Sequence, residues 1–277
     1  ASLYTHTRDV NFEVMVVDNA SSDGSADMAR KKFPNVRVIG LDENKGFAAA
    51  NNIAIKQSSG KYILLLNPDT ELTENSLKKV FNKMESDHPP ASSAGQALTP
   101  SRVMEGGQIG VLGCQLLNPD GTIQPSVRRF PRLRDIIIIF FKLYKLFPGL
   151  LDRYLARDFV YDHPLNPSLA KEGEVREVDQ VMGAFFCIRR SVLERISPPA
   201  TGSPKTAEGI FGVNRGGDSG GVGALDEGYF IWFEEVDFCR RVRRAGFKVV
   251  YWPGTSIIHH GGQSFSQVET AKKQWWF

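Results

Sequence analysis

The stretch Lys61-Tyr62-Ile63-Leu64-Leu65-Leu66-Asn67-Pro68-Asp69-Thr70-Glu71 constrains this chain more than any other. Five apolar residues in succession, bounded by Lys61 and Asn67, are too few for a helix of about ten residues. They predict a strand buried on both faces, as in the middle of a parallel sheet. Pro68 has no N–H to give to a ladder, so the strand ends there and Asp69 emerges just past its carboxyl end. Open α/β sheets bind their ligands in that position. A carboxylate there can hold a hard cation such as Mg2+ against phosphate oxygens. Asn-Pro-Asp is equally ordinary turn chemistry.

The same arrangement recurs along the first third of the chain. Phe12–Val17 predicts a short buried strand, followed by the polar loop Asp18-Asn19-Ala20-Ser21-Ser22-Asp23-Gly24-Ser25 and a helix over about 25–33. Asp23 reads as a cap for that helix, whereas Asp18, at the strand tip, is less well explained by capping. Arg37–Leu41 predicts a further strand, with the loop Asp42-Glu43-Asn44-Lys45-Gly46-Phe47 after it and a small-residue helix over about 47–57. Lys45 could reach a phosphate, although a solvated surface lysine is the plainer reading. Strand, helix, strand, helix, strand with short connections predicts right-handed βαβ units. The expected fold class is therefore α/β, with a mostly parallel, Rossmann-like nucleotide-binding sheet and helices on both faces.

Beyond a helix near 73–86, residues 88–107 and 198–223 are rich in Gly, Pro, Ser and Thr or Ala and are expected to be flexible insertions. Ile109–Leu117 predicts a strand and Asn118–Thr122 a hairpin turn. Within 132–155, the run Ile136-Ile137-Ile138-Ile139-Phe140-Phe141 is flanked by Arg132, Arg134, Lys142, Lys145 and Arg153. That composition suits a helix lying in an anionic membrane interface, or one packed on the protein's own core; the sequence does not choose. Val178–Arg189 is strand-like, and Gly183 within it points to close approach of a ligand or another backbone. The aromatic segment ending in Trp232 leads to Glu234-Glu235-Val236-Asp237, which opens a helix closed by four arginines and stopped by Gly246. Asp237 is placed to pair with Arg241 one turn on. Carboxylates crowded beside aromatic residues have raised proton affinity and suit a general base. A last strand over Phe247–Trp252 precedes His259-His260 in a loop; adjacent histidines diverge, so one at most would bind a given metal.

A chain of 277 residues with net charge +3 is too nearly neutral for a nucleic-acid argument, and none is expected as a partner. No apolar run reaches the roughly 18 residues of a membrane span. Cys114, Cys187 and Cys239 are far apart and sit in apolar surroundings, as buried reduced thiols of a cytoplasmic protein do.

In order, Val16–Ser25, Asn44–Phe47 with Asn51-Asn52, Leu65–Asp69, Gly183-Ala184, Phe233–Asp237 with Arg241, and His259–Gly262 resemble the family 2 glycosyltransferases, in particular their rhamnosyltransferase-like branch. The resemblance spans nearly the whole chain apart from the two insertions. It implies one GT-A domain over 1–277, with a nucleotide-sugar-binding half (1–90) and an acceptor and catalytic half (108–277). It also implies a Mg2+ or Mn2+ cofactor held by Asp69 and His259, and a donor site built from Asp18, Asn19, Asn44, Lys45, Gly46, Phe47, Asn51, Asn67, Gly183, Ala184, Trp232 and Arg241. Glu235 stands where the family places its base, usually Asp, with Glu234 and Asp237 as alternatives. The implied reaction is inverting transfer of a deoxyhexose, best matched by L-rhamnose from its dTDP derivative. The implied acceptor is lipid-linked or a polysaccharide, at the inner face of the cytoplasmic membrane. Family members begin with a strand that has no counterpart here, which implies a fragment of a longer protein. A glycoside hydrolase built on two carboxylates and a non-catalytic glycan- or nucleotide-sugar-binding module are the rival readings.

Overall fold

The computed structural model describes residues 1–87, 107–161, 174–196, 224–229 and 233–261. The two expected insertions lie outside these residues almost entirely, as do Trp232, Gly262 and the aromatic end of the chain.

The first three βα pieces form where the turn chemistry puts them. β1 (Met15–Asp18) leads to α2 (Ser25–Lys32), β2 (Arg37–Gly40), α3 (Phe47–Gln57) and β3 (Tyr62–Leu66), with a short α1 (Ser2–His6) ahead of them. Asp23 accepts the Ser25 N–H at 3.0 Å just ahead of α2, but the N-cap position is Gly24 and no side chain caps the helix, so Asp23 closes a turn and is not the cap expected of it. β1 and β2 pair in parallel, with Asp18 opposite Gly40. The face of α3 toward the core carries Ala48, Ala49 and Ala50, small enough for the helix to lie close against β1.

β3 is not the middle of a parallel sheet. It lies at the edge of a seven-stranded mixed sheet and pairs antiparallel with β10 (Phe185–Arg189). The next neighbours are β5 (Ile109–Leu117), β11 (Lys248–His259) and β4 (Thr70–Leu72). Its side chains accordingly alternate between buried and half-buried rather than burying throughout. The strand buried on both faces is β5, flanked by β10 and β11. Among the described residues only β1–β2 and β5–β11 are parallel, so "mostly parallel" gives way to a mixed sheet. Among the described residues β1 and β3 each have one paired edge, and no ladder joins the two sheets.

Apolar side chains fill both faces of the large sheet. Val111, Phe186 and Ile188 join α3, α6 (Arg190–Arg195) and α7 (Glu234–Arg244) on one side. Leu112, Cys114 and Phe185 join α4 (Ser76–Ser86) on the other. In α4 the buried Ser76, Val80 and Met84 repeat every fourth residue, the spacing of one helix face. All three cysteines are buried free thiols, as expected.

Three further expectations change. Val178–Arg189 is two strands, β9 (Gln180–Val181) and β10, separated by a turn at Gly183-Ala184. The last strand runs on to His259 instead of ending at Trp252, because its register against β5 shifts at Pro253–Thr255 and then resumes. Segment 132–155 is not one helix: α5 (Leu133–Phe140) stops ahead of Lys142, whose φ of 54° breaks the helical path, and two 3-10 turns follow.

Candidate active site

β3 delivers Asn67, Pro68 and Asp69 to a turn closed by Thr70 N–H on the Asn67 carbonyl at 3.3 Å. The chain reverses into β4, which pairs antiparallel with the end of β11 so that His259 lies opposite Thr70. This register carries His259 to Asp69: Nε2 stands 3.4 Å from Oδ1, with both side chains 10% exposed. His259 Nδ1 lies 2.6 Å from Gln124 Oε1, and an amide oxygen can only accept, so Nδ1 carries the proton. Nε2 faces Asp69 and carries the lone pair when the ring is neutral. Gln124 is fixed in turn by donating to Asn118 Oδ1 at 3.0 Å. His260 points elsewhere, to Glu71 at 3.4 Å, so the two histidines diverge as expected.

A carboxylate oxygen and an imidazole nitrogen of fixed tautomer are a fitting partial set for Mg2+ or Mn2+, which take few protein ligands and leave positions for phosphate oxygens and water. Among the described residues no third acid, histidine or cysteine joins them.

The polar loops after β1 and β2 are tied into one wall. Asn19 Nδ2 donates to Asn44 Oδ1 at 2.8 Å and to the Gly46 carbonyl at 3.2 Å, while Asn19 Oδ1 accepts the Lys45 N–H at 2.9 Å. Asn44 Oδ1 also takes the Gly46 N–H at 3.0 Å. Gly46 enters α3 with φ 84°, where a side chain would be strained. Asn51 Nδ2 closes on the Phe47 carbonyl at 2.9 Å. Asp18 sits at the tip of β1, its carbonyl accepting the Leu41 N–H. The Lys45 ammonium is 3.9 Å from Glu43. Across from this wall, a methyl group added at Gly183 would meet only the rim of the Phe47 ring, at 3.9 Å. Among the described residues no other atom lies within 4 Å of that position. Ala184 is buried, and its carbonyl accepts the Asn67 N–H at 3.2 Å, which fixes the Asp69 turn against β10.

α7 supplies the other acids. Phe233 precedes it with φ 69°, a left-handed conformation that costs a non-glycine residue on the order of 1–3 kcal/mol. Glu234 is buried, and the Oε2 atoms of both Glu234 and Glu235 are shut away without a hydrogen-bond partner among the described residues. Burial, then the neighbouring Glu235 charge, holds the Glu234 carboxyl well above its ordinary range; burial does the same for Glu235. The positive end of the helix dipole favours the charged form, but desolvation outweighs it. Asp237 differs: Arg241 Nε donates to it at 2.7 Å, the pairing expected one turn apart. Arg241 also donates to the Ala224 carbonyl at 2.7 Å, tying the helix to the chain before it.

Three neighbours of the site were given no role from the sequence. Gln124 follows a hairpin turn and looks like any polar strand residue. Tyr154 has its hydroxyl proton affinity raised by burial and then by the Glu235 charge. Asn52 is buried, donates to the Leu225 carbonyl and to Glu227, and accepts the Leu225 N–H, clamping that segment onto α3. Only Asn52, adjacent to Asn51 in a noted pair, could have been suspected.

The described residues thus hold a strand-tip carboxylate facing a histidine, an asparagine-knit loop wall and an acid pair at a helix start. Residues 3–98 match the model of the family described as Glycosyl transferase family 2, and over that stretch the chain is similar to that family. It is 25% identical over 262 residues to an N-acetylglucosaminyl-diphospho-decaprenol L-rhamnosyltransferase of Mycobacterium tuberculosis, covering 91% of this chain and 67% of that protein. It is 23% identical over 231 residues to the rhamnosyltransferase WbbL of Escherichia coli, covering 79% of this chain and 64% of that one. Among solved structures, it overlaps loosely (TM-score 0.41, 14% identity, 89% of this chain and 47% of the other) with a mannosyltransferase of Pyrobaculum calidifontis in complex with GDP-Man and Mn2+.

Proposed function

We propose that this chain is the catalytic domain of an inverting, cation-dependent glycosyltransferase that moves L-rhamnose from dTDP-rhamnose to a lipid-linked or polysaccharide acceptor. It would act at the inner face of the cytoplasmic membrane in the synthesis of a surface glycan. The observation that carries the reading is the pairing of two unlike acid centres on one sheet: Asp69 against His259, and Glu234 with Glu235. The rhamnosyltransferase names of two relatives direct the choice of sugar.

In this reading the wall of Asp18, Asn19 and Asn44–Phe47 receives the nucleoside, with Asn51 bracing the loop, and the space over Gly183-Ala184 admits the sugar. Asp69 and His259 hold the divalent cation, which when bound neutralises charge on the diphosphate. Gln124 keeps His259 Nε2 unprotonated for that purpose. Glu235 accepts the proton of the acceptor hydroxyl as its oxygen bonds to the anomeric carbon and the bond from that carbon to the diphosphate breaks. Inversion at that carbon follows from the single displacement. A base must hold its proton only loosely near neutral pH, and burial beside Glu234 tunes Glu235 upward toward that range. Asp237, held by Arg241, braces the helix that carries the base. Trp232, outside the described residues, would line the acceptor side.

Calorimetric titration of dTDP and UDP, with and without Mn2+, tests the donor site. Binding that needs Mn2+, favours dTDP and disappears in Asp69→Ala supports the reading. Equal binding in Asp69→Ala would overturn the cation assignment. Release of nucleoside diphosphate only when acceptor is present separates a transferase from a binding module.

A further inference from the structure

The geometry points to a membrane-docking surface formed by α5 and the two turns after it, a face that seats on an anionic lipid bilayer. Leu133, Ile137 and Phe140 recur on one side of α5, and Phe141, Leu146 and Phe147 continue the face through the turns. Phe140 is 76% exposed and Leu146 73%, so among the described residues nothing buries this face. Exposure of six large apolar residues together, unlike a scattered apolar residue, marks an interaction site.

The support beneath the face is firm. Ile138 and Leu151 are buried, and Asp135, fully buried, accepts the Arg132 N–H at 2.8 Å and faces Arg134 and Arg153, each at 3.3 Å. Arg153 also donates to the Phe130 carbonyl at 2.8 Å. The apolar residues are therefore presented by a braced platform.

Charge selects the occupant. Segment 132–155 has five basic residues against two acidic, as large an excess as the +3 of the whole chain. Both acids are engaged: Asp135 by its arginines, and Asp152 by Arg157 at 3.1 Å. Arg132, Arg134 and Lys145 are exposed and Lys142 half-exposed around the apolar residues. Apolar side chains ringed by cations match the boundary between acyl chains and anionic headgroups. A second copy fits poorly, because a two-fold interface sets the same patch, with its cations, against itself.

The surface is joined to the catalytic helix. Arg240 of α7 donates to the Pro131 carbonyl at 3.2 Å, with its guanidinium over the Phe130 ring at 4.9 Å. At the other end of the segment stands Tyr154, within range of the Glu235 charge. Docking through α5 would hold the carboxylate pair at the bilayer surface, where a lipid-linked acceptor presents its hydroxyl. The inference deepens the transferase reading and rests on it for that acceptor only.

Co-sedimentation of the full chain with phosphatidylcholine vesicles and with vesicles enriched in phosphatidylglycerol tests it. The chain should pellet with the anionic vesicles alone. Phe140→Glu with Leu146→Glu should abolish pelleting, and Lys142→Gln and Lys145→Gln should each weaken it about fivefold. Circular dichroism checks that the variants fold, and being surface changes they should leave transfer to a water-soluble acceptor intact. Failure of the wild-type chain to pellet, pelleting unaffected by both sets of changes, or a dimer that Phe140→Glu dissociates would overturn the proposal. Vesicle binding without any binding of dTDP or UDP would leave the surface standing and sink the transferase reading instead.

Discussion

Asp69 and the Glu234–Glu235 pair are the two acid centres of the candidate site, and their surroundings are opposite. Asp69 sits in a turn at a sheet edge, with an imidazole nitrogen 3.4 Å away and a glutamine holding that imidazole in one tautomer. Glu234 and Glu235 lie at a helix start, with their Oε2 atoms enclosed and without a hydrogen-bond partner among the described residues. A carboxylate supplied with a neutral nitrogen ligand is prepared for a cation. Carboxylates denied both water and partners are prepared for a proton. The same side-chain chemistry is thus assigned two tasks by what surrounds it.

The largest expected effect comes from removing the proton acceptor. Glu235→Gln keeps the shape and should lower sugar transfer by about 10²–10⁴-fold, with nucleotide binding by calorimetry unchanged. Turnover at the wild-type rate would show that the buried acids are not the base and would erase the contrast with Asp69. Next is the support of the cation centre. Gln124→Leu should weaken Mn2+ binding in the presence of dTDP by about 10–100-fold, and Gln124→Glu, which can still accept from Nδ1, should retain most of it. Equal loss in both variants would mean that Gln124 shapes the fold and not the ligand.

The smallest effect is on stability. Glu234 holds its proton more tightly in the folded chain than in the unfolded one. The stability this adds is complete below its ordinary value of 4.5 and is lost as the pH rises through the raised value of about 8. Glu234→Gln should therefore leave the melting temperature unchanged near pH 4 and stabilise the chain by about 1–3 kcal/mol near pH 8.5. A gain at both pH values would point to packing and not to charge.

Much of the site was legible because its signals are local. Pro68 ends a strand and so exposes Asp69; Asn19 and Asn44 stand in loops of obvious turn composition; Gly246 ends α7 with φ 83°. Asp237 and Arg241 pair because helix geometry alone brings them together. The neighbourhood of those residues was not legible. Gln124 reaches His259 from 135 positions away, and no local rule foresees such a meeting.

The sequence by itself determined the βα rhythm of the first third, the acids at strand and helix tips, and an apolar segment ringed by cations. Periodicity, capping and turn chemistry act over a few residues and need no distant partner. Tertiary structure decided that β5, and not β3, is the strand buried on both faces, because pairing order is set by strands far apart in the chain. It decided that Asp69 meets His259, through the β4–β11 register. Among the described residues it also leaves the apolar side of α5 uncovered, which no local rule could foresee.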